Sequence, residues 1–384
     1  MDARVRRRPS FRQILSWSHR WLGLASGLVV LVVSLTGALY AFEHEITAAV
    51  RADLMRVDPR SGERLPASRL LESARHVLGP ERPVSSVRIP SDPAGAWTFR
   101  SRETDETAVT YFGWLVRDLE VVVDPWTGAV KGSIDNRLDF FHLVKFLHWS
   151  LLLRTEYGQP VVGAAVAVFV VLLLSGLWLW RPRTWAQARA KLVPRLAGPW
   201  RNRLWSWHAT FGAWVFPVAL VIAVTGLVWA FRVVMFAVYA LAALSVTPPD
   251  LSRAESSRSA VAGAVLPLDR IVAGVQARHP QATSLWLWLP AADTGREPVG
   301  AYVRYDEGVY WNSVQESWDR NDAVLLKSKA FADGNRGERL VAMNYDIHVG
   351  AVLGLPGKIL AFLASLVCAS LPVTGFLMWR KRRH

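Results

Sequence analysis

Cysteine is nearly absent from the 384-residue chain: Cys368 is the only one, and it lies inside an apolar stretch. Any exported segment therefore folds without disulfide bonds. The patterns G-x-G-x-x-G and G-x-x-x-x-G-K-[ST] are also missing, which argues against dinucleotide and nucleoside-triphosphate sites of the usual kind. The zinc-protease pattern H-E-x-x-H does not occur, and no Ser/His/Asp arrangement stands out. These absences argue against several common enzyme chemistries.

Acidic residues are scarce relative to basic ones: 31 Asp and Glu against 45 Lys and Arg give a formal net charge of +14. Almost the whole excess lies in residues 4–12, 181–203 and 380–383. In a chain with four membrane spans these segments share one side, which the positive-inside rule identifies as the cytoplasm. The charge thus orients a membrane protein, and we expect no nucleic-acid partner. We expect a bacterial inner-membrane protein, surrounded by lipid, with both termini in the cytoplasm.

Long apolar runs are abundant, with 52% hydrophobic residues and 19 tryptophans. Four runs reach the roughly 20 residues needed to cross about 30 Å of hydrocarbon. The predicted segments are a basic tail and helix start (1–20), first span (21–42), first periplasmic module (43–137), periplasmic approach and second span (138–180), basic loop (181–203), third span (204–245), second periplasmic module (246–346), fourth span (347–379) and cytoplasmic tail (380–384).

The two periplasmic modules repeat one plan, a helix followed by strands and a closing hairpin. Helical spacing predicts helices at residues 67–78 and 267–279. Strands are predicted at residues 84–89, 97–100, 108–114 and 119–123, and again at 284–289, 300–304 and 308–312. Asp124-Pro-Trp-Thr-Gly predicts the first closing turn, and residues 316–327 carry a degenerate version of it. The predicted fold is an α+β membrane protein: four transmembrane helices with two helix-plus-antiparallel-sheet modules, built by internal duplication.

Six of the nine histidines lie in or beside the apolar runs, where ionisable side chains are costly and a functional role is the default interpretation. His19 and His208 are each followed by one glycine after four residues and by another, in a Thr-Gly pair, after eighteen. Because eighteen residues make five helical turns, each distal glycine shares the face of its histidine. We predict that these faces admit a flat, bulky group between slot-forming glycines. Those glycines are Gly23, Gly37, Gly212 and Gly226.

The spans place the histidines at two depths. His19 and His208 fall at the cytoplasmic level, whereas His148 and His348 fall near the outer level and precede runs interrupted by glycine and proline. Imidazole suits iron, copper and zinc alike, but a glycine slot favours a porphyrin over a bare ion. The sequence therefore predicts two b-type haems, each held by two histidines. The haems are expected to be non-covalent because no Cys-x-x-Cys-His motif is present.

Alternatives remain open at the outer level. His44 is the first substitute as a ligand there and His142 the second. Four cations near the histidines are expected either to pair with haem propionates or to snorkel to the interface. They are Arg20, Lys145, Arg154 and Arg203. The competing interpretation of the histidines themselves is that they cap spans at the membrane interface, where amphipathic rings are stable.

The chain resembles the PepSY-associated transmembrane-helix family of bacteria. The matching residues are SHRWLGLASG and LTG in the first span, VDPWTG in the first module, LHWSLLL and SGLWLW around the second span, WHATFG and VTG in the third, and DIHVGAVLGLPGKIL and TGFLMW in the fourth. The resemblance implies four spans, PepSY-like periplasmic modules and a link to iron acquisition. By architecture it points to inner-membrane siderophore reductases that bind two b-type haems and act on ferrioxamine-type chelates.

The resemblance and the histidine spacing together lead us to expect an oxidoreductase. It would pass electrons from an unidentified cytoplasmic or membrane donor to a periplasmic ferric hydroxamate-type siderophore, because one-electron reduction loosens iron from hard oxygen ligands. Two alternatives remain: a permease for the intact ferric chelate, and a binding or regulatory protein without redox activity. Aromatic residues of the second module either line a chelate site or fill the sheet core. They are Trp286, Trp288, Tyr310 and Trp311.

Overall fold

The computed structural model describes residues 9–79, 82–249, 252, 254–259, 265–291 and 295–380. The predicted tail segments 1–8 and 381–384 lie outside the described residues. The chain divides into two compact units. One comprises the residues up to Ala41, Val144–Met235 and the residues from Ile347, and the other comprises Phe42–Leu143 and Phe236–Asp346.

The first unit is built on four helices that are long and apolar enough to cross a membrane: Phe11–Tyr40, Thr155–Trp180, Trp200–Ala230 and Gly354–Arg380. We call them the first to fourth spans. The first packs against the second and fourth, and the third does the same, so the first and third face each other diagonally. Small and apolar side chains fill the interior between them, as in other helix bundles. These include Leu173, Val215, Ala219, Ala364 and Cys368.

The first helix starts within the predicted segment 1–20, whereas the end of the third span differs from the prediction. The first helix begins at Phe11, where the Ser10 hydroxyl and the Gln13 side chain form a capping box. The third apolar run does not continue to residue 245: the helix ends at Ala230, Phe231 is extended, and a separate helix, Arg232–Ala243, follows. Arg232 interrupts the apolar run at this point, and a charge is costly inside a span.

The second unit contains one eight-stranded antiparallel sheet. Its strands are β1 (Ser86–Pro90), β2 (Trp97–Thr104), β3 (Leu115–Val123), β4 (Val130–Asp135), β5 (Ser284–Trp288), β6 (Val299–Arg304), β7 (Ser313–Trp318) and β8 (Leu325–Ala330). The order is β4-β3-β2-β1-β5-β6-β7-β8, so the two predicted modules join through β1 and β5. This pairing removes two exposed strand edges. Helices Ala67–Leu78 and Leu268–Arg278 pack on a single shared core.

Two predicted strands are wrong. Residues 108–114 include the short helix Tyr111–Trp114, whose N-cap Thr110 accepts a hydrogen bond from the Gly113 amide. Residues 308–312 form a loop, and the strand begins one residue later at Ser313. The buried Arg304 side chain holds this loop by donating to the carbonyls of residues 306, 307 and 309.

The two closing hairpins share one turn, as predicted. In the first, the Gly128 amide donates to the Asp124 carbonyl and Gly128 has φ +75°. In the second, the Ala323 amide donates to the Asp319 carbonyl, and Ala323 adopts φ +55° where the first turn has glycine. The degenerate turn therefore keeps its geometry at the cost of a left-handed alanine.

Candidate functional site

Two diagonally opposed spans bring His19 and His208 together. The ring centroids are 6.4 Å apart and the ring planes are nearly perpendicular, at 88°. His19 lies in the first turns of the first span and His208 in the first turns of the third. The two histidines that were predicted to pair therefore lie next to each other in the bundle.

A second pair forms between His148 and His348, whose ring centroids are 6.2 Å apart at an interplanar angle of 71°. His148 lies on the helix Phe140–Ser150 and His348 on the helix Asn344–His348, which precede the second and fourth spans. Both pairs thus join elements related by the duplication of the chain.

The two pairs lie at opposite ends of the bundle. His19 neighbours Gly176, near the end of the second span, whereas His148 neighbours Gly37, near the end of the first. Eighteen residues separate His19 from Gly37, and that length of helix rises about 27 Å. The sites are therefore separated by most of the thickness of a bilayer core.

Each of the four rings is held by a hydroxyl from a neighbouring span. In every case the Nδ1 atom lies within hydrogen-bonding distance of a serine or threonine that immediately precedes a glycine. The contacts are His19 to Ser175 at 2.8 Å, His208 to Thr374 at 2.8 Å, His148 to Thr36 at 3.2 Å and His348 to Thr225 at 2.9 Å. The four spans thus use the same dipeptide for the same purpose.

The glycine of each dipeptide makes room for the ring. A methyl group added at the glycine Cα would approach the histidine Cε1 atom at 3.0–3.7 Å, where carbon atoms prefer about 3.5–4.0 Å. The approaches are Gly37 to His148 at 3.0 Å, Gly176 to His19 at 3.2 Å, Gly226 to His348 at 3.4 Å and Gly375 to His208 at 3.7 Å. A side chain larger than glycine would push against at least the closest of these rings.

These contacts correct the predicted slots. Gly37 and Gly226 share a helical face with His19 and His208, but they pack against the histidines at the other end of the bundle. The helical period predicts which face of the span a glycine occupies. Which histidine the glycine contacts depends on its level along the helix axis. The glycines beside His19 and His208 are Gly176 and Gly375, which the sequence analysis missed. The repeated Ser-Gly or Thr-Gly dipeptide in all four spans was the signal that could have identified them.

A cavity of about 250 Å³ surrounds the His19–His208 pair. The predicted slot residues Gly23 and Gly212 line it, and so does Arg20. Its remaining walls are mostly apolar, with three tryptophans among them. Those tryptophans are Trp180, Trp205 and Trp379. The cavity combines an apolar lining with a few polar groups, which is typical of a cofactor site.

The other predicted cations have different surroundings. Arg203 is exposed and does not line this cavity. Lys145 Nζ lies 5.8 Å from the centroid of the Trp149 ring. Arg154 donates from Nε to Glu156 at 2.8 Å. Arg20, by contrast, lines the cavity of the His19–His208 pair.

Tight turns fix the helix that carries His148. Leu151 and Leu152 have φ +56° and +57°, a conformation that costs about 1–2 kcal/mol per residue. A Cβ at Gly158 would lie 1.9 Å from the carbonyl oxygen of Ser150, so only glycine allows this approach. The break therefore falls before Thr155, not at the predicted residues 156–160, which are helical.

The helix that carries His348 is followed by an equivalent turn. Gly350 and Gly354 have φ +79° and +65°, and the 3₁₀ turn Ala351–Leu353 lies between them. A Cβ at Gly357 would lie 2.1 Å from the Gly350 carbonyl oxygen. The predicted interruption of residues 350–357 is confirmed for residues 350–353, whereas residues 354–357 already belong to the helix Gly354–Arg380.

The alternative ligands His44 and His142 lie in the unit that contains the sheet. His142 Nδ1 is 2.9 Å from the Tyr111 hydroxyl, which also donates to the Arg137 carbonyl. Burial, reinforced by the nearby Asp118 carboxylate, raises the pKa of Tyr111 to about 12. His142 thus belongs to a polar network of the sheet unit, and His44 lies on the helix Glu43–Val50.

A family model for the PepSY-associated TM region matches residues 16–382. The chain belongs to this family. A search of curated proteins found no match. The family, the four apolar helices and the antiparallel sheet together establish a membrane protein of mixed α+β class.

In this PepSY-associated family member, Trp286 and Trp288 alternate along β5 with the core residues Leu285 and Leu287. Trp286 lies under the Arg88 guanidinium at 5.6 Å, and Trp288 is half exposed with its ring edge towards Tyr302. Tyr310 also remains partly exposed, at 39%. Trp311, by contrast, packs against Phe331.

The loop that carries Tyr310 and Trp311 is hydrogen-bonded to the helix Asn344–His348. The fully buried Asp346 carboxylate accepts hydrogen bonds from the Tyr310 and Trp311 amides at 3.0 and 2.9 Å. Burial raises the pKa of Asp346, although these amide bonds oppose the shift. The Asp346 carboxylate thus anchors the aromatic loop within the sheet unit.

Within the described residues, no group of three or more His, Cys, Asp or Glu side chains is arranged to hold a metal ion. Two facing imidazoles are a weak site for a bare ion, which usually needs three or four protein ligands. A cofactor that brings most of its own metal ligands would need only the two imidazoles from the protein.

Proposed function

We propose that the protein is a membrane oxidoreductase that binds two b-type haems and reduces a ferric hydroxamate-type chelate. The ring separations carry this proposal. An imidazole nitrogen lies about 2.0 Å from a metal that it ligates and about 1.1 Å from its ring centroid. Two imidazoles that hold one metal would therefore have centroids at most about 6.2 Å apart, and the observed separations of 6.4 and 6.2 Å lie close to this value.

His19 and His208 would hold one haem, and His148 and His348 the other. The apolar cavity around the first pair and the glycine contacts of both pairs support a flat occupant. Arg20 is the cation best positioned to face a propionate at the first site. When bound, the haems would supply reversible one-electron chemistry at the two ends of the bundle.

The basic segments support one orientation. In the sequence, the basic segments 4–12, 181–203 and 380–383 flank the span ends nearest His19 and His208, so this end of the bundle is expected to face the cytoplasm. The His148–His348 end and the sheet unit would then face the periplasm of a bacterial inner membrane. A cytoplasmic or membrane-borne one-electron donor would supply the reductant at the first end.

The proposed substrate class rests on the chemistry by which a chelate releases its iron. Hydroxamate oxygens are hard ligands that bind Fe(III) far better than Fe(II), so one electron loosens the chelate without breaking it. The exposed rings of Trp288 and Tyr310, with Arg88 above Trp286, offer a surface for such a chelate. The Asp346 carboxylate holds in place the Tyr310 loop that would contribute to this surface.

The test is anaerobic reduction of a ferric hydroxamate by the purified, haem-loaded protein, with a ferrous-specific chromophoric chelator as the reporter. His348→Ala or His148→Ala should abolish chelate reduction, while the remaining haem still accepts electrons from dithionite. His76→Ala is the matched control, because His76 is exposed on the helix Ala67–Leu78, and it should keep full activity.

His19→Ala or His208→Ala should instead remove about one haem and leave the spectrum of the other intact. Chelate reduction that survives in every paired-histidine variant would overturn the proposal. Protein that purifies without haem and transports the intact chelate in vesicles would favour the permease alternative.

A further inference from the structure

The four hydroxyls beside the histidines are themselves committed to a second contact. Each donates its hydrogen to a carbonyl in its own span, as serine and threonine often do in helices. The bonds are Ser175 to the Leu172 carbonyl at 3.2 Å, Thr374 to Ser370 at 2.9 Å, Thr36 to Val32 at 2.7 Å and Thr225 to Val221 at 2.8 Å.

This second contact fixes the direction of the first. A hydroxyl has one hydrogen, and a carbonyl oxygen can only accept. Since each hydrogen is given to a carbonyl, the hydroxyl oxygen is left to accept from the histidine. The proton on each ring must then sit on Nδ1. For His148 the direction is fixed twice, because its Nδ1 also lies 2.9 Å from the Val33 carbonyl oxygen. The rings of His208 and His348 likewise hydrogen-bond the backbone at Leu371 and Ile222.

We propose that Ser175, Thr374, Thr36 and Thr225 are positioning residues that lock all four histidines in the Nδ1–H tautomer. The Nε2 lone pair is then free on every ring. This inference rests on the proposed function only for its consequence, that Nε2 is the atom ready to ligate iron. A donated Nδ1–H also makes the imidazole a stronger ligand and lowers the potential of the iron it holds.

The position of the hydroxyl also explains why the next residue in each span is glycine. Cε1 is the ring atom next to Nδ1, so a ring that donates to the hydroxyl brings Cε1 against the following residue of that span. That residue is glycine in all four cases, at the 3.0–3.7 Å approaches given above. The hydroxyl orients the ring and the glycine leaves space for it.

The first test needs no haem. Nitrogen-15 NMR of histidine side chains in the full-length, haem-free protein in detergent distinguishes the two tautomers. The wild-type protein should show all four paired histidines as Nδ1–H. Thr225→Val keeps the shape and removes the hydroxyl acceptor, while the Ile222 carbonyl remains. The tautomer ratio of His348 should therefore shift by about two- to tenfold, the net worth of one hydrogen bond. Thr225→Ser should restore the wild-type ratio.

The chain offers an internal comparison. Ser175→Ala should shift the tautomer of His19 more than Thr36→Val shifts that of His148, because the Val33 carbonyl still accepts from Nδ1 of His148. Ser370→Ala is the matched control: its hydroxyl bonds the Val367 carbonyl at 2.7 Å in the same way, and the variant should leave every histidine unchanged.

The second test uses the haem-loaded protein. The midpoint potential of the His148–His348 haem should rise in Thr225→Val and return in Thr225→Ser. Unchanged tautomers and potential in Thr225→Val, in protein that keeps its wild-type melting temperature, would overturn the inference. If the protein binds no haem but the NMR result holds, the proposed function fails while the tautomer assignment stands.

Discussion

Replacing Gly37 by alanine should damage one histidine pair and spare the other. The new Cβ would lie 3.0 Å from His148 Cε1, about 0.5 Å inside the closest comfortable carbon–carbon distance. The ring is held on its other side by the Thr36 hydroxyl and the Val33 carbonyl, so it cannot move freely. Overpacking of this kind costs about 1–3 kcal/mol, which corresponds to roughly a five- to 150-fold loss of affinity for whatever the pair binds.

Gly375→Ala is the matched control, because its Cβ would lie 3.7 Å from His208 Cε1, an ordinary contact. Both substitutions gain the same helix propensity, about 1 kcal/mol, so that effect cancels in the comparison. The assay is spectroscopic titration of haem-free protein with haem, which resolves two sites. We expect Gly37→Ala to weaken one site and Gly375→Ala to weaken neither. Equal affinities in the two variants would refute the steric reasoning.

The remaining predictions concern backbone and turn geometry. Gly158→Ala should displace the helix carrying His148 and lower haem content by about one per chain, because its Cβ would lie 1.9 Å from the Ser150 carbonyl oxygen; a variant with two haems would contradict this. Ala323→Gly should raise the free energy of unfolding by about 0.5–1 kcal/mol, because glycine removes the left-handed strain but loses more backbone entropy on folding. Denaturant titration measures this free energy, and Gly128→Ala should lower it. Burial would raise the pKa of Asp319, but bonds from backbone amides in and near its turn outweigh burial and lower that pKa to about 2. The stability advantage over Asp319→Asn should therefore be full above about pH 4 and fall as the pH drops from 3.8 towards 2; a difference that does not change with pH would contradict this assignment.

Much of the bundle could be predicted because its signals are local. Apolar length gave the spans, and the matched spacing of His19 and His208 indicated that they act together. The third span was predicted too long because composition alone does not show that the helix stops at Ala230 before Arg232. The turn at Asp319 was recognisable despite the loss of glycine, since the aspartate and the flanking strands remained.

The contacts between elements were harder to predict. The helical period correctly placed Gly37 on the face of His19, but its partner, His148, comes from another element at the far end of the bundle. Likewise, each module predicted its own strands, yet nothing in the sequence of β1 identified β5 as its neighbour. The sequence of an edge strand does not specify which strand will pair with it. The single continuous sheet could therefore be recognised only from the structure.

The most direct test of the account is the haem stoichiometry of the purified full-length protein, measured as the pyridine haemochrome per chain. Two facing histidine pairs, with centroids 6.4 and 6.2 Å apart, predict close to two b-type haems per chain. A value near zero after expression with adequate haem supply would contradict the central claim.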